Sequence, residues 1–122
     1  MLLEIRVEKT SDDIPVINLK GEIDLQTCGE FRDVLRELIE QHYRHIVIDF
    51  ANVPYIDSAA LGVLVVAVRK VREDDGAMYL VATTPFVRRA FEITRLARDF
   101  ALPEDMETAL EHIRAKMAVV EA

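Results

Sequence analysis

The chain predicts an α/β domain: a mixed sheet of four or five strands with helices packed on it. Three observations carry this. The N-terminus alternates polar and apolar residues with a period of two. Beyond it, strand-like and helix-like stretches take turns. Turn or capping residues close each stretch. The 122 residues suit one domain, spanning 1–122.

Leu3, Ile5 and Val7 alternate with Glu4, Arg6 and Glu8, the pattern of a half-buried strand. A polar turn at 10–13 leads into 14–20, rich in Ile and Val. So short a turn makes an antiparallel hairpin. Cys28, Phe31, Leu35, Leu38 and Ile39 then share one helical face, with Thr27 and Glu30 spaced as a capping box. Residues 46–50 read as a buried strand, and 51–57, with Pro54, as a loop.

The stretch 58–72 is ambiguous, because 59–68 is apolar on all sides. It exceeds ordinary strand length, and Asp57 or Ser58 can cap a helix there. If the strands at 46–50 and 78–82 are parallel, they also need a crossover. We therefore read it as a helix. Thr84 and Pro85 open another helix to about Thr94, with Val87, Ala90 and Phe91 inward. Residues 98–101 read as a short last strand. Pro103, Glu104 and Asp105 start a final helix with an apolar stripe of Met106, Ala109, Leu110, Ile113 and Met117.

Composition excludes several functions. The net charge of -7 argues against nucleic acid and anionic membranes, which need clustered cations. Apolar runs are too short for membrane insertion. One cysteine, Cys28, builds neither a disulfide nor a cysteine metal site, and it falls on the apolar helix face. His42, His45 and His112 lack ligand spacing, so we expect no metal and no cofactor. Glu4 and Glu8 interrupt any secretory signal, so we expect a cytoplasmic protein.

The informative segment is Tyr55-Ile56-Asp57-Ser58-Ala59-Ala60-Leu61-Gly62, between a strand and a helix. Read alone, Ser58 caps the helix. Its small neighbours also let another molecule approach, and a phosphate there would meet exposed N–H groups and the positive end of the helix dipole. The helix's apolar start puts Leu61, Val65 and Val68 forward as a docking surface, beside Ala59, Ala60 and Gly62. Asp24, ahead of a helix, reads equally as a cap or turn residue. Asp49 closes a strand and reads as a partner for loop amides. Ser58 as an enzyme nucleophile lacks an evident base, so no catalytic residue is assigned.

These residues carry a resemblance. Asp57-Ser58-Ala59-Ala60-Leu61-Gly62 resembles the phosphorylation motif of STAS-domain anti-sigma factor antagonists, usually Asp-Ser-(Ser/Thr/Ala)-Gly-Leu-Gly. Gly21-Glu22-Ile23-Asp24 is similar to that family's Gly-Glu-(Leu/Ile)-Asp. Ile46-Val47-Ile48-Asp49-Phe50, leading through Val53, matches the strand before the motif. The resemblance spans essentially the whole chain. It implies a STAS domain that binds an anti-sigma factor, often a serine kinase, and so frees a sigma factor. It makes Ser58 the phosphate acceptor, with Asp57 flanking it and Asp24 near it, and a PP2C-type phosphatase the candidate for reversal. Ala60 replaces the usual Gly, and its methyl would crowd a closely packed kinase. Ala59 leaves Ser58 the sole acceptor in the motif. The alternative is an unphosphorylated structural STAS subunit of a signalling or lipid-transport complex.

Overall fold

In the computed structural model, which describes residues 2–121, the N-terminal alternation folds as the expected hairpin. β1 (Glu4–Lys9) pairs antiparallel with β2 (Pro15–Lys20), Ile5 opposite Leu19 and Val7 opposite Ile17. Thr10 closes the turn: its hydroxyl accepts from the Ile14 amide and donates to Asp12 Oδ1. β1 is an edge strand, so Val7 stays 39% exposed although it faces the core side.

α1 (Cys28–Glu40), β3 (His45–Asn52), α2 (Ser58–Glu73) and β4 (Ala77–Val81) follow. The four-stranded sheet has the order β1-β2-β3-β4, with β2, β3 and β4 parallel. β3 is central, and Ile46, Val47, Ile48 and Phe50 are fully buried, as a strand covered on both faces requires. One face packs on α1, α2 and α3 (Pro85–Ile93) around Phe31, Leu35, Leu64, Val68 and Phe91. α4 (Met106–Glu121) covers the other, setting Ala109 and Ile113 against Val16, Val47, Tyr79 and Val81.

The capping residues sort themselves by reach. Thr84 Oγ1 accepts from the Val87 amide, with Pro85 at the first helical position, as expected. The Thr27–Glu30 capping box does not form. The Thr27 hydroxyl donates to the Glu22 carbonyl and accepts from the Asp24 amide, so it closes the preceding turn instead. α4 starts later than expected, because Asp105 Oδ1 accepts from the Thr108 amide and caps it.

The strand expected at 98–101 is also corrected. Leu96–Asp99 is a short 3-10 turn, entered through Arg95 in the left-handed region at φ 61°. Only Ala101 reaches the sheet, in a single bridge to Tyr79. Pro103, without an N–H, follows two residues later and stops further pairing.

α4 is also held by a titratable cluster. His45 Nδ1 lies 3.4 Å from the Tyr79 hydroxyl, the His112 ring is 6.3 Å from the Tyr79 ring, and Lys116 Nζ stands 5.9 Å over it. Burial lowers the His45 pKa below 6.5, and the charges of Lys116 and Arg44 lower it further. The folded state therefore binds the proton less readily than the unfolded chain, and stability rises with pH between the folded value and 6.5. We expect the melting temperature to fall as pH drops below 6.5. His45→Gln should flatten that slope, which melts across a pH series would show.

Candidate functional site

Because β2, β3 and β4 are parallel, their C-terminal ends share one sheet edge. The loops 21–27, 53–57 and 82–84 gather there, where open α/β sheets characteristically bind ligands. The first two loops pair with each other. Gly21 donates its N–H to the Asn52 carbonyl at 3.0 Å. Ile23 bridges Ile56 in parallel, and the Asp57 amide donates to the Ile23 carbonyl at 3.2 Å. Gly21 has φ +120°, and a Cβ there would stand 2.8 Å from the Leu2 carbonyl oxygen, so only glycine fits.

Asp57 joins this loop pair to the helix. As N-cap of α2, its Oδ1 accepts from the Ala60 amide at 3.1 Å, while Oδ2 accepts from the Leu25 amide at 3.1 Å. That settles the choice between Asp57 and Ser58 as cap. Ser58 opens the helix with its side chain exposed. The Ser58 and Ala59 amides lie in the turn where helical N–H groups have no intrahelical acceptor, so they can meet an anion. We expect Asp57→Ala to cost about 1–2 kcal/mol, through loss of the cap and the second loop's tether. Denaturant unfolding would measure it.

Asp24 spends its carboxylate locally. Its Oδ1 accepts from the Gln26 amide at 2.9 Å, the Thr27 amide at 3.0 Å and the Thr27 hydroxyl at 3.2 Å. The Thr27 amide, with that hydroxyl and the Gln26 amide, holds the Asp24 carboxyl below the usual carboxylate range. Asp24 thus has the turn role, on a loop stitched to Asp57. Asp49 Oδ1 accepts from the Ala51 amide, although β3 runs on to Asn52.

The expected docking residues divide. Ala60 and Val68 are buried in the core, at 0% and 1% exposure, and offer a partner no side-chain surface. The Ala60 methyl therefore crowds nothing outside the domain. Ala59, Leu61 and Val65 are half-buried, and Gly62 is exposed. Exposed apolar residues stand elsewhere on this edge: Leu25 at 77%, Tyr55 at 41% and Phe86 at 54%. Tyr55 and Phe86 stack at 5.5 Å between centroids. Sequence reasoning missed this trio. The available signal was one large apolar residue just beyond the C-terminal end of each parallel strand.

Gly62 is in the interior of α2, yet a Cβ there would meet nothing within 4 Å. The domain itself has no steric need for glycine at this position. We expect Gly62→Ala to stabilise the fold by about 0.5–1 kcal/mol, because alanine loses less backbone freedom. A higher melting temperature would show it.

A nucleophilic role for Ser58 finds no histidine nearby. His45 begins β3 and Ser58 follows its far end, so about 20 Å of strand separates them. His42 precedes β3 at the same distant edge, and His112 rests on Tyr79 under α4.

Comparisons with known proteins bear on the family and the fold. The STAS domain family matches residues 5–111. The anti-sigma-B factor antagonist of Staphylococcus aureus is 30% identical over 95 residues, covering 77% of this chain and 88% of that protein. The crystal structure of an anti-sigma factor antagonist from Mycobacterium paratuberculosis superposes with a TM-score of 0.83 at 26% identity, over 92% of this chain and 94% of that one. The phosphorylated form of the Bacillus cell fate determinant SpoIIAA shares the fold, with a TM-score of 0.74 at 22% identity over 90% of this chain and 99% of that one.

Proposed function

The chain belongs to the STAS domain family, and from that premise we propose that it is an anti-sigma factor antagonist switched by phosphate on Ser58. Unmodified, it docks on an anti-sigma factor and so releases a sigma factor. The observation that carries the reading is the placement of Ser58: exposed, first in α2, beside open helix amides, at the sheet edge whose loops also carry the exposed Leu25, Tyr55 and Phe86. Aromatic and apolar anchors around a polar switch suit a reversible protein interface.

The modification is a phosphoryl transfer. Ser58 Oγ attacks the γ-phosphorus of ATP, ADP leaves, and a base on the partner kinase takes the hydroxyl proton. In this reading the chain is acceptor and ligand, not catalyst. Its acidic balance fits a protein partner rather than nucleic acid. A PP2C-type phosphatase would restore the binding form by hydrolysis.

The test is to recover the partner from native lysate with the full chain, then incubate the pair with ATP and weigh the product. We expect one added phosphate, absent in Ser58→Ala. An anti-sigma factor that binds but leaves the mass unchanged would reject the switch. Recovery of signalling or lipid-transport subunits without an anti-sigma factor would favour the structural role.

A further inference from the structure

α1 and α2 pack side by side on the sheet, and a groove of about 460 Å³ runs between them on the outer surface. Leu35, Ile39, Val63 and Val66 give it an apolar lining. Val66 is 57% exposed, an unusual state for a valine on a packed helix. Arg32, Arg36 and Lys70 also line the groove, against a single acid, Glu40. Three cations around one opening run against the chain's net charge of -7. Asp33, outside the lining, pairs with Arg36 and lies 3.8 Å from Arg32, so it offsets part of that charge. Among the described residues, Lys70 has no ion pair.

Size and charge together select the occupant. The volume is within the usual range for small-ligand sites. Packed neighbouring helices stand about 8–10 Å apart, which leaves a narrow cleft along their line of contact. One polymethylene chain fits that cleft, and a cationic rim suits an anionic head. Gly62 belongs to the lining too, and its missing side chain leaves open space the domain does not otherwise use.

We propose that the α1–α2 groove binds a single-chain amphiphile with an anionic head group, a medium-chain fatty acid being the simplest case. The acyl chain lies along Leu35, Val63 and Val66, and the carboxylate meets the rim cations. Ala59, next to Ser58, lines one end, so occupancy touches the first turn of α2. The binding claim stands independently of the phosphorylation reading.

The probe is decanoate, titrated calorimetrically into the full chain below its critical micelle concentration, with decanol as the neutral comparison. We expect saturable one-to-one binding, about tenfold tighter for decanoate than for decanol. Gly62→Leu fills the open space. It should abolish binding while the melting temperature is kept or raised. Lys70→Glu should weaken decanoate about threefold to fivefold and leave decanol unchanged. Unsaturable uptake, equal affinity for decanol, or full binding by folded Gly62→Leu would overturn the proposal. So would a dimer of this chain that Gly62→Leu dissociates, because a second copy would then cover the groove.

Discussion

Phosphorylated on Ser58, the protein is expected to bind its anti-sigma factor about a hundredfold more weakly, with its melting profile unchanged. A phosphoserine adds about -1.5 to -2 charges. One unit charge placed ~5 Å from a like charge, at an effective dielectric near 20, costs about 3 kcal/mol. Asp57 already presents a carboxylate at this position, and its oxygens are committed to the Ala60 and Leu25 amides. Within the domain the new charge meets the Ser58 and Ala59 amides and the positive helix end, which offset about 0.3–1 kcal/mol of its cost. The exposure of Ser58 means no core atom has to move. Hence Ser58→Ala should bind normally and resist switching. Ser58→Asp, with less charge, should bind more weakly than wild type but more tightly than the phosphoprotein. The measurement is partner affinity for all four forms, each beside a thermal melt. Equal affinity with and without phosphate would reject the switch; a collapsed melt would reject electrostatics as its cause.

Gly21→Ala should be the more damaging change to the fold. The residue holds φ +120°, which an L side chain adopts at a cost of about 1–2 kcal/mol. Its Cβ would also press on the Leu2 carbonyl at 2.8 Å, backbone that cannot swing away as a side chain can. Such overpacking adds about 1–3 kcal/mol. The sum of about 2–5 kcal/mol is a large part of an ordinary domain's stability and corresponds to roughly 8–20 °C of melting temperature. The damage falls where Gly21 ties to Asn52 and Ile23 to Ile56, so the loop beneath Ser58 loosens with it. Gly62→Ala, in the other motif, is expected to act with the opposite sign. A melt of the two variants together separates a glycine required by backbone geometry from one that leaves space free.

Much of the architecture was legible because the periods are clean. The stripe at Cys28, Phe31, Leu35 and Leu38 faces the core, and Met106, Ala109, Leu110, Ile113 and Met117 do the same on the other face. α2 was identified through its length and the crossover rather than its period, and its faces could not be sorted that way. Ala60, Leu64, Ala67, Val68 and Val71 point inward, while Gly62 and Val66 share the outer side with Arg69 and Lys70. A valine and a glycine carry no polar mark, so the solvent face was invisible there. Thr27 shows another limit. Its spacing to Glu30 suits a capping box, but Asp24 and Glu22 compete for the same hydroxyl and win. At the site, the two motifs identified the loops that meet, whereas the cluster of Leu25, Tyr55 and Phe86 depends on three strands ending at one edge.

The way α4 is fastened sets how the molecule opens. It buries only Ala109 and Ile113 fully among its described residues, and Arg114 clasps Asp12 of the first turn at 2.8 and 3.1 Å. The larger core, around Phe31, Phe50, Leu64 and Phe91, sits on the far side of the sheet, in a cluster separate from the residues this helix covers. We therefore expect α4 to open as a cooperative unit of its own, at lower cost than the rest. Its amides should exchange with solvent deuterium well before those of β3. In the same excursions the sheet surface at Val16, Val47, Tyr79 and Val81 would be bared, so we expect cleavage near residues 102–105 and self-association to follow the population of that open state rather than global unfolding.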